Sequence, residues 1–134
     1  MIGLQNIEPF GEYGGIKIGF KGTINKKPAK ILAQDLAEKL GSPVKVIGTG
    51  DIQSIGLVTG GAADIIQQAS SERLDAYITG EGANHHYHDA IEGKCILIFA
   101  GHYATETGGV KSVGLHLEQK FQIVTEFLDY PTGL

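Results

Sequence analysis

His102 and Glu106 stand four residues apart in Gly101-His-Tyr-Ala-Thr-Glu106. On a helix, that spacing brings both side chains out on the same face, one turn above the other. An imidazole nitrogen and a carboxylate oxygen so placed can grip one divalent ion. The same two groups can also satisfy each other, as a His–Glu hydrogen bond in the first turn of a helix. Continuing the face reaches Val110, Val113 and Leu117. These are apolar, so the pair is expected to point inward, where a carboxylate needs a cation, a hydrogen-bonding partner or solvent.

Glu81-Gly-Ala-Asn-His85-His86-Tyr-His88 holds three more histidines beside a carboxylate. Glu81 is a candidate ligand or general base, and His85 or His86 a candidate ligand or proton shuttle. Glu81 and His85 are taken as the candidate catalytic residues, and His102 and Glu106 as the candidate metal ligands. Exposed histidines on a polar loop are the alternative for the tandem pair, and the stronger reading for His88. Thr59-Gly60-Gly61-Ala62 is a third candidate, because a helix N-terminus built of small residues can hold phosphate on free backbone N–H groups. It lacks the full dinucleotide and Walker patterns, and most such loops are tight turns.

These segments need a scaffold, and the pattern around them supplies one. Ile55 to Val58 leads through Thr59-Gly-Gly61 into a helical stretch from Ala62 to Ala69. Leu74 to Ile78 leads through Thr79-Gly-Glu-Gly82 into a helix near His86 to Glu92. Lys94 to Ala100 leads through Gly101-His102 into a longer helix ending near Phe121. Strands alternating with helices predict an α/β fold, a mixed or mostly parallel sheet flanked by helices. Ligands of open α/β sheets gather at the carboxyl ends of the strands, where all three loops would lie. Further upstream, Glu8-Pro-Phe-Gly11 reads as a turn and Ile16 to Phe20 as a strand. Pro28 opens a helix that Gly41 closes. Val44 to Ile47 and Ile52 to Val58 read as strands, and Gln122 to Leu128 as a final one.

With 134 residues and 42% apolar side chains, one domain is expected, 1–134, with 1–47 as a connecting segment. Such a chain can bury a core without disulfide staples. The net charge of −4 and the absence of a Lys/Arg run argue against nucleic acid as a partner. The single cysteine, Cys95, lies in an apolar run and reads as a buried, inert thiol. No basic segment precedes a long apolar run, and no stretch reaches the roughly 20 apolar residues of a membrane span. A cytoplasmic location without membrane contact is expected. The 20 glycines are about twice the usual share and mark tight loops.

Gly101-His-Tyr-Ala-Thr-Glu106, preceded by Tyr77-Ile-Thr-Gly-Glu81, resembles the GTP cyclohydrolase 1 type 2 homolog family, also called NGG1-interacting-factor-three-like or hexameric dinuclear-metal proteins. The similarity runs from about Ile55 through Phe127-Leu-Asp-Tyr-Pro-Thr-Gly133, and looks like the C-terminal portion of the family. It implies a two-metal site between two similar α/β halves, with His102 and Glu106 matching the last two ligands. The family's other ligands, a tandem His-His and an Asp, have no counterpart here, and His85-His86 is not that tandem. The chain is then a fragment or a subunit completed by another chain, and a homo-oligomer, up to a hexamer, is implied. Zinc, iron, manganese, cobalt or nickel would suit such ligands. The function expected is a metal-dependent hydrolase acting on a phosphoester or nucleotide-like substrate. A non-catalytic module for nucleotide or phosphate, or for structural assembly, is the alternative.

Overall fold

Strands buried on both faces must be apolar at nearly every position, and Ala76-Tyr-Ile-Thr79 and Ile96-Leu-Ile-Phe99 are the two runs in this chain that meet that demand. In the computed structural model, which describes residues 2–131, they are the interior strands β5 (Ala76–Thr79) and β6 (Ile96–Phe99) of a six-stranded mixed sheet. The other strands are β1 (Gln5–Tyr13), β2 (Ile16–Pro28), β3 (Lys45–Ile47) and β4 (Asp51–Leu57). The spatial order is β1-β2-β4-β5-β6-β3. β4, β5 and β6 run parallel; β1, β2 and β3 join antiparallel. The carboxyl ends of the three parallel strands therefore open on one edge, as the α/β pattern predicts.

Among the described residues, four α-helices flank the sheet: α1 (Ala29–Leu40), α2 (Ile66–Ser71), α3 (His85–Glu92) and α4 (His102–Phe121), with a 3-10 turn at Ala63–Ile65. Alternating strand side chains divide the core in two. Ile55, Ile78 and Ile98 pack with Leu32 and Leu36 of α1. Tyr77 and Leu97 pack on the other side with Ile66 and Ala69 of α2 and Ala90 of α3. Ile52, Ile55, Leu97 and Ile98 are fully buried, each stabilising the fold by about 1.5–3 kcal/mol relative to exposure. The Tyr77 hydroxyl is buried too, and donates to the Ala62 carbonyl at 2.7 Å. That bond fastens the loop after β4 to the middle of β5.

Two expected elements differ. Glu8 to Gly11 is not a turn but the middle of β1. A proline inside a strand is tolerated at a sheet edge, where the missing N–H faces no neighbour, and β1 is an edge strand. Gln122 to Leu128 is not a strand. It runs back beside α4, where Glu118 accepts hydrogen bonds from the Thr125 N–H and hydroxyl, both at 2.9 Å. Tyr103 donates to Asp129 at 2.9 Å and accepts from the Tyr130 N–H at 2.8 Å. Thr132 and Gly133 of the terminal motif lie outside the described residues.

Cys95 is 2% exposed, and burial pushes its thiol up to about 12. At pH 8 about one such thiol in ten thousand is ionised, and the thiolate is the reactive form. A disulfide-exchange reagent should leave the native protein unlabelled and label it within minutes in guanidinium; rapid native labelling would show that the strand opens. No helix among the described residues is long and apolar enough to cross a membrane.

Candidate metal centre

Three loops meet at the carboxyl edge, held together by backbone and threonine hydrogen bonds. Gly60 O accepts from the Thr79 hydroxyl at 3.0 Å, from Gly80 N–H at 2.8 Å and from Glu81 N–H at 3.3 Å. The Thr105 hydroxyl, in the first turn of α4, accepts from Gly60 N–H at 3.0 Å and donates to the His102 carbonyl at 2.9 Å. Gly101 N–H donates to Gly80 O at 2.9 Å. The loop after β4, the loop after β5 and the start of α4 are thereby one unit. Two of the N–H groups that the phosphate reading of Thr59-Gly60-Gly61 would need, those of Gly60 and Ala62, are already taken by the Thr105 and Thr79 hydroxyls. The helical run after this loop is a three-residue 3-10 turn followed by the six-residue α2, close to the helical stretch from Ala62 to Ala69 that the sequence pattern suggests.

On this unit His102 stands between two carboxylates. Its Nδ1 lies 2.9 Å from Glu81 Oε1 and its Nε2 lies 3.5 Å from Glu106 Oε1. A carboxylate on Nδ1 fixes the ring and its tautomer and leaves the Nε2 lone pair free to bind a cation, an arrangement common around metal-binding histidines. Glu106 reaches the same place because Gly60 has no side chain. A Cβ at Gly60 would sit 2.5 Å from Glu106 Oε1 and 3.3 Å from His102 Nε2, and the backbone there has φ +70°. The hydrogen bond that His102 Nδ1 donates to Glu81 raises the His102 pKa above its ordinary 6.5, helped by Glu106. A raised folded value contributes stability that is present at acid pH and lost as the pH rises through that value. Glu81→Gln should therefore lower the His102 titration midpoint followed by proton NMR; an unchanged midpoint would remove Glu81 from the account.

The His102–Glu106 pair does not point inward. His102 is 39% and Glu106 55% exposed, no residue of α4 is buried, and Val110 and Val113 are 63% and 58% exposed. Of the apolar face that suggested burial, only Leu117 is half-buried, although the segment from Gln122 to Leu128 runs back beside α4. The structure thus brings Glu81, His102 and Glu106 together and places His85 elsewhere. His85 Nε2 lies 3.9 Å from Asp64, and the His88 ring stands edge-on to Tyr87. His86 is buried, with Nε2 at 2.9 Å from Asp64 Oδ1. Asp64, His85 and His86 form a group whose potential ligand atoms lie within 4.8 Å of one another. The hydrogen bond from His86 holds the Asp64 carboxyl below its usual range. Asp64 escapes a reading by histidine spacing, although its place just beyond the loop after β4 is a signal for it.

A mixed α/β sheet with imidazole and carboxylate groups gathered at the carboxyl edge defines an α/β domain with a candidate metal site. The profile of Duf34/NIF3 (NGG1p interacting factor 3) matches residues 1–132, and the chain belongs to that family. The match takes in the first 47 residues as well as the part carrying the Gly-His-x-x-Thr-Glu element. A Pyrococcus abyssi protein called GTP cyclohydrolase 1 type 2 homolog is 43% identical over the whole chain, which covers 55% of it. A Deinococcus radiodurans protein of the same name is 37% identical over 99% of the chain and 52% of its own length. A solved structure described as protein ybgI, of unknown function, superposes with a TM-score of 0.88 at 27% identity, over 98% of this chain and 53% of that one. The chain spans about half the length of the relatives it matches.

Proposed function

We propose that this chain supplies the His102–Glu106 limb of a dinuclear divalent-metal centre with hydrolase-like chemistry. The observation that carries the reading is the geometry at His102, with Nδ1 held by Glu81 and Nε2 turned to Glu106. The residues fit a metal: the donors are an imidazole and a carboxylate, and the space beside them is one that a Gly60 side chain would fill. His102 Nε2 and Glu106 would hold the ion, and Glu81 positions His102 through Nδ1. When bound, a pair of divalent ions would polarise a phosphoester or similar group and supply a nucleophile at neutral pH. Glu81, exposed beside the pair, is the nearest carboxylate able to hold or pass a proton. His85, turned towards Asp64, is not placed to do so from this position.

Two ligands make half a centre, and the remainder must come from outside these residues. Exposed apolar side chains support association. Val110, Val113, Leu115 and Phe121 on α4 and Ile16 and Phe20 on β2 are each more than half exposed. A homo-oligomer, up to the hexamer that the family resemblance implies, would cover them. The substrate class proposed is a phosphoester or nucleotide-like molecule, in keeping with the name of the Pyrococcus and Deinococcus relatives. Elemental analysis after dialysis, with phosphoesterase assays on the loaded protein, tests the reading. His102→Ala and Glu106→Ala should each lose metal, and any hydrolysis with it. Variants that keep all bound metal would exclude both ligand roles.

A further inference from the structure

The group at Asp64, His85 and His86 is a separate arrangement, used by none of the roles assigned above. It joins the 3-10 turn after β4 to the first turn of α3. His86 is only 5% exposed, while the Asp64 side chain is 91% and that of His85 67% exposed. Asp64 Oδ1 lies 2.9 Å from His86 Nε2 and 3.9 Å from His85 Nε2. Donors at about 2.0–2.2 Å from a tetrahedral ion stand about 3.3 Å apart, between those two separations. Small rotations of the exposed Asp64 and His85 side chains bring all three donors to one point.

The buried ring is prepared for either state. Its Nδ1 faces both the Ala83 N–H, at 2.9 Å, and the Ala83 carbonyl, at 3.2 Å. With Nδ1 accepting from the Ala83 N–H, Nε2 carries the proton and donates to Asp64. With Nδ1 protonated and facing the Ala83 carbonyl, Nε2 presents its lone pair outward. The second tautomer is the one a metal selects, its other ring nitrogen donating to a backbone carbonyl. A purely structural tie would need His86 and Asp64 alone. His85 nevertheless lays its ring 4.0 Å from that of His86, centroid to centroid, and turns Nε2 to the same carboxylate oxygen.

We infer that Asp64, His85 and His86 form a second divalent-cation site, independent of His102 and Glu106, that takes a borderline ion of the zinc class. Three protein donors and an exposed rim leave a position for water or an anionic ligand. Zinc titration followed by calorimetry on the double variant His102→Ala/Glu106→Ala isolates it. One zinc should bind per chain, and adding Asp64→Asn or His85→Gln should weaken it at least tenfold. Both side chains are exposed, so these variants should keep the parent circular dichroism and melting temperature. Nitrogen-15 NMR of the histidines should show zinc moving the Nε2 signals of His85 and His86. No zinc bound to the double variant, or zinc binding that Asp64→Asn leaves unchanged, overturns the inference. Loss of zinc only on changing His102 or Glu106 would leave the first centre standing and remove this one.

Discussion

Gly80→Ala should lower the melting temperature by roughly 10 °C and abolish zinc binding at His102. The built Cβ would lie 2.6 Å from Gly60 O, 2.7 Å from His102 Cα and 3.0 Å from Thr105 Oγ1. The first two are backbone atoms of the loop after β4 and of α4, so neither can rotate away. Relief requires the three loops to part, which breaks the 2.8 Å bond from Gly80 N–H to Gly60 O and the 2.9 Å bond from Gly101 N–H to Gly80 O. Overpacking typically costs 1–3 kcal/mol, and backbone-on-backbone contact puts this site at about 3 kcal/mol. A chain of this size loses about 3 °C per kcal/mol. Gly108→Ala is the control, since its Cβ would meet nothing within 4 Å and alanine favours a helix. Equal melting temperatures for the two variants would show that the loops are not packed as described.

Asp75→Ala should destabilise the protein by about 2–3 kcal/mol at neutral pH, and by progressively less in acid. A single carboxylate oxygen accepts from Gln53 N–H at 2.9 Å, Ser54 N–H at 2.8 Å and the Ser54 hydroxyl at 2.9 Å, and the Ser54 Oγ accepts from Asp75 N–H at 2.9 Å. These bonds tie the segment entering β5 to β4. Removing the acceptor leaves two partly buried donors of Ser54 and the exposed Gln53 N–H to compete for water. Burial by itself would raise the Asp75 pKa, but the amide and hydroxyl bonds together outweigh it and hold the value below the ordinary 3.8. A depressed folded value gives stability that is present above the unfolded value and lost as the pH falls through the folded one. Urea titrations at neutral pH and in acid check this; a difference between parent and variant that does not shrink in acid would contradict it.

The scaffold was largely legible because its signals are local. Pro28 and Gly41 bracket α1, and Gly101 sets the start of α4. The apolar runs of β5 and β6 announce strands covered on both faces. Where the sequence misled, the reason was tertiary. Pro9 is compatible with a strand only because β1 lies at the sheet edge. The residues from Gln122 to Leu128 resemble a strand but lie beside α4 instead, where Thr125 bonds to Glu118.

At the site, helical spacing gave His102 and Glu106 a common face. It could not reveal that Glu81 would hold the far side of the His102 ring, a contact between residues 21 apart in the chain. Nor could it pair Asp64 with His86, 22 residues away. The inward direction inferred from Val110 and Val113 failed because apolar spacing defines a face without saying what packs on it, and both side chains stay more than half exposed.

Long-range proton–nitrogen NMR of His102 during zinc addition tests the central claim most directly, because it reads the two ring nitrogens separately. The account predicts that Nε2 moves to the shift of a metal-bound nitrogen while Nδ1 stays protonated against Glu81, and that Glu106→Ala weakens the change at least tenfold. Zinc bound through Nδ1, or a His102 ring whose nitrogens do not respond to zinc in the protein assembled with its remaining ligands, would contradict it.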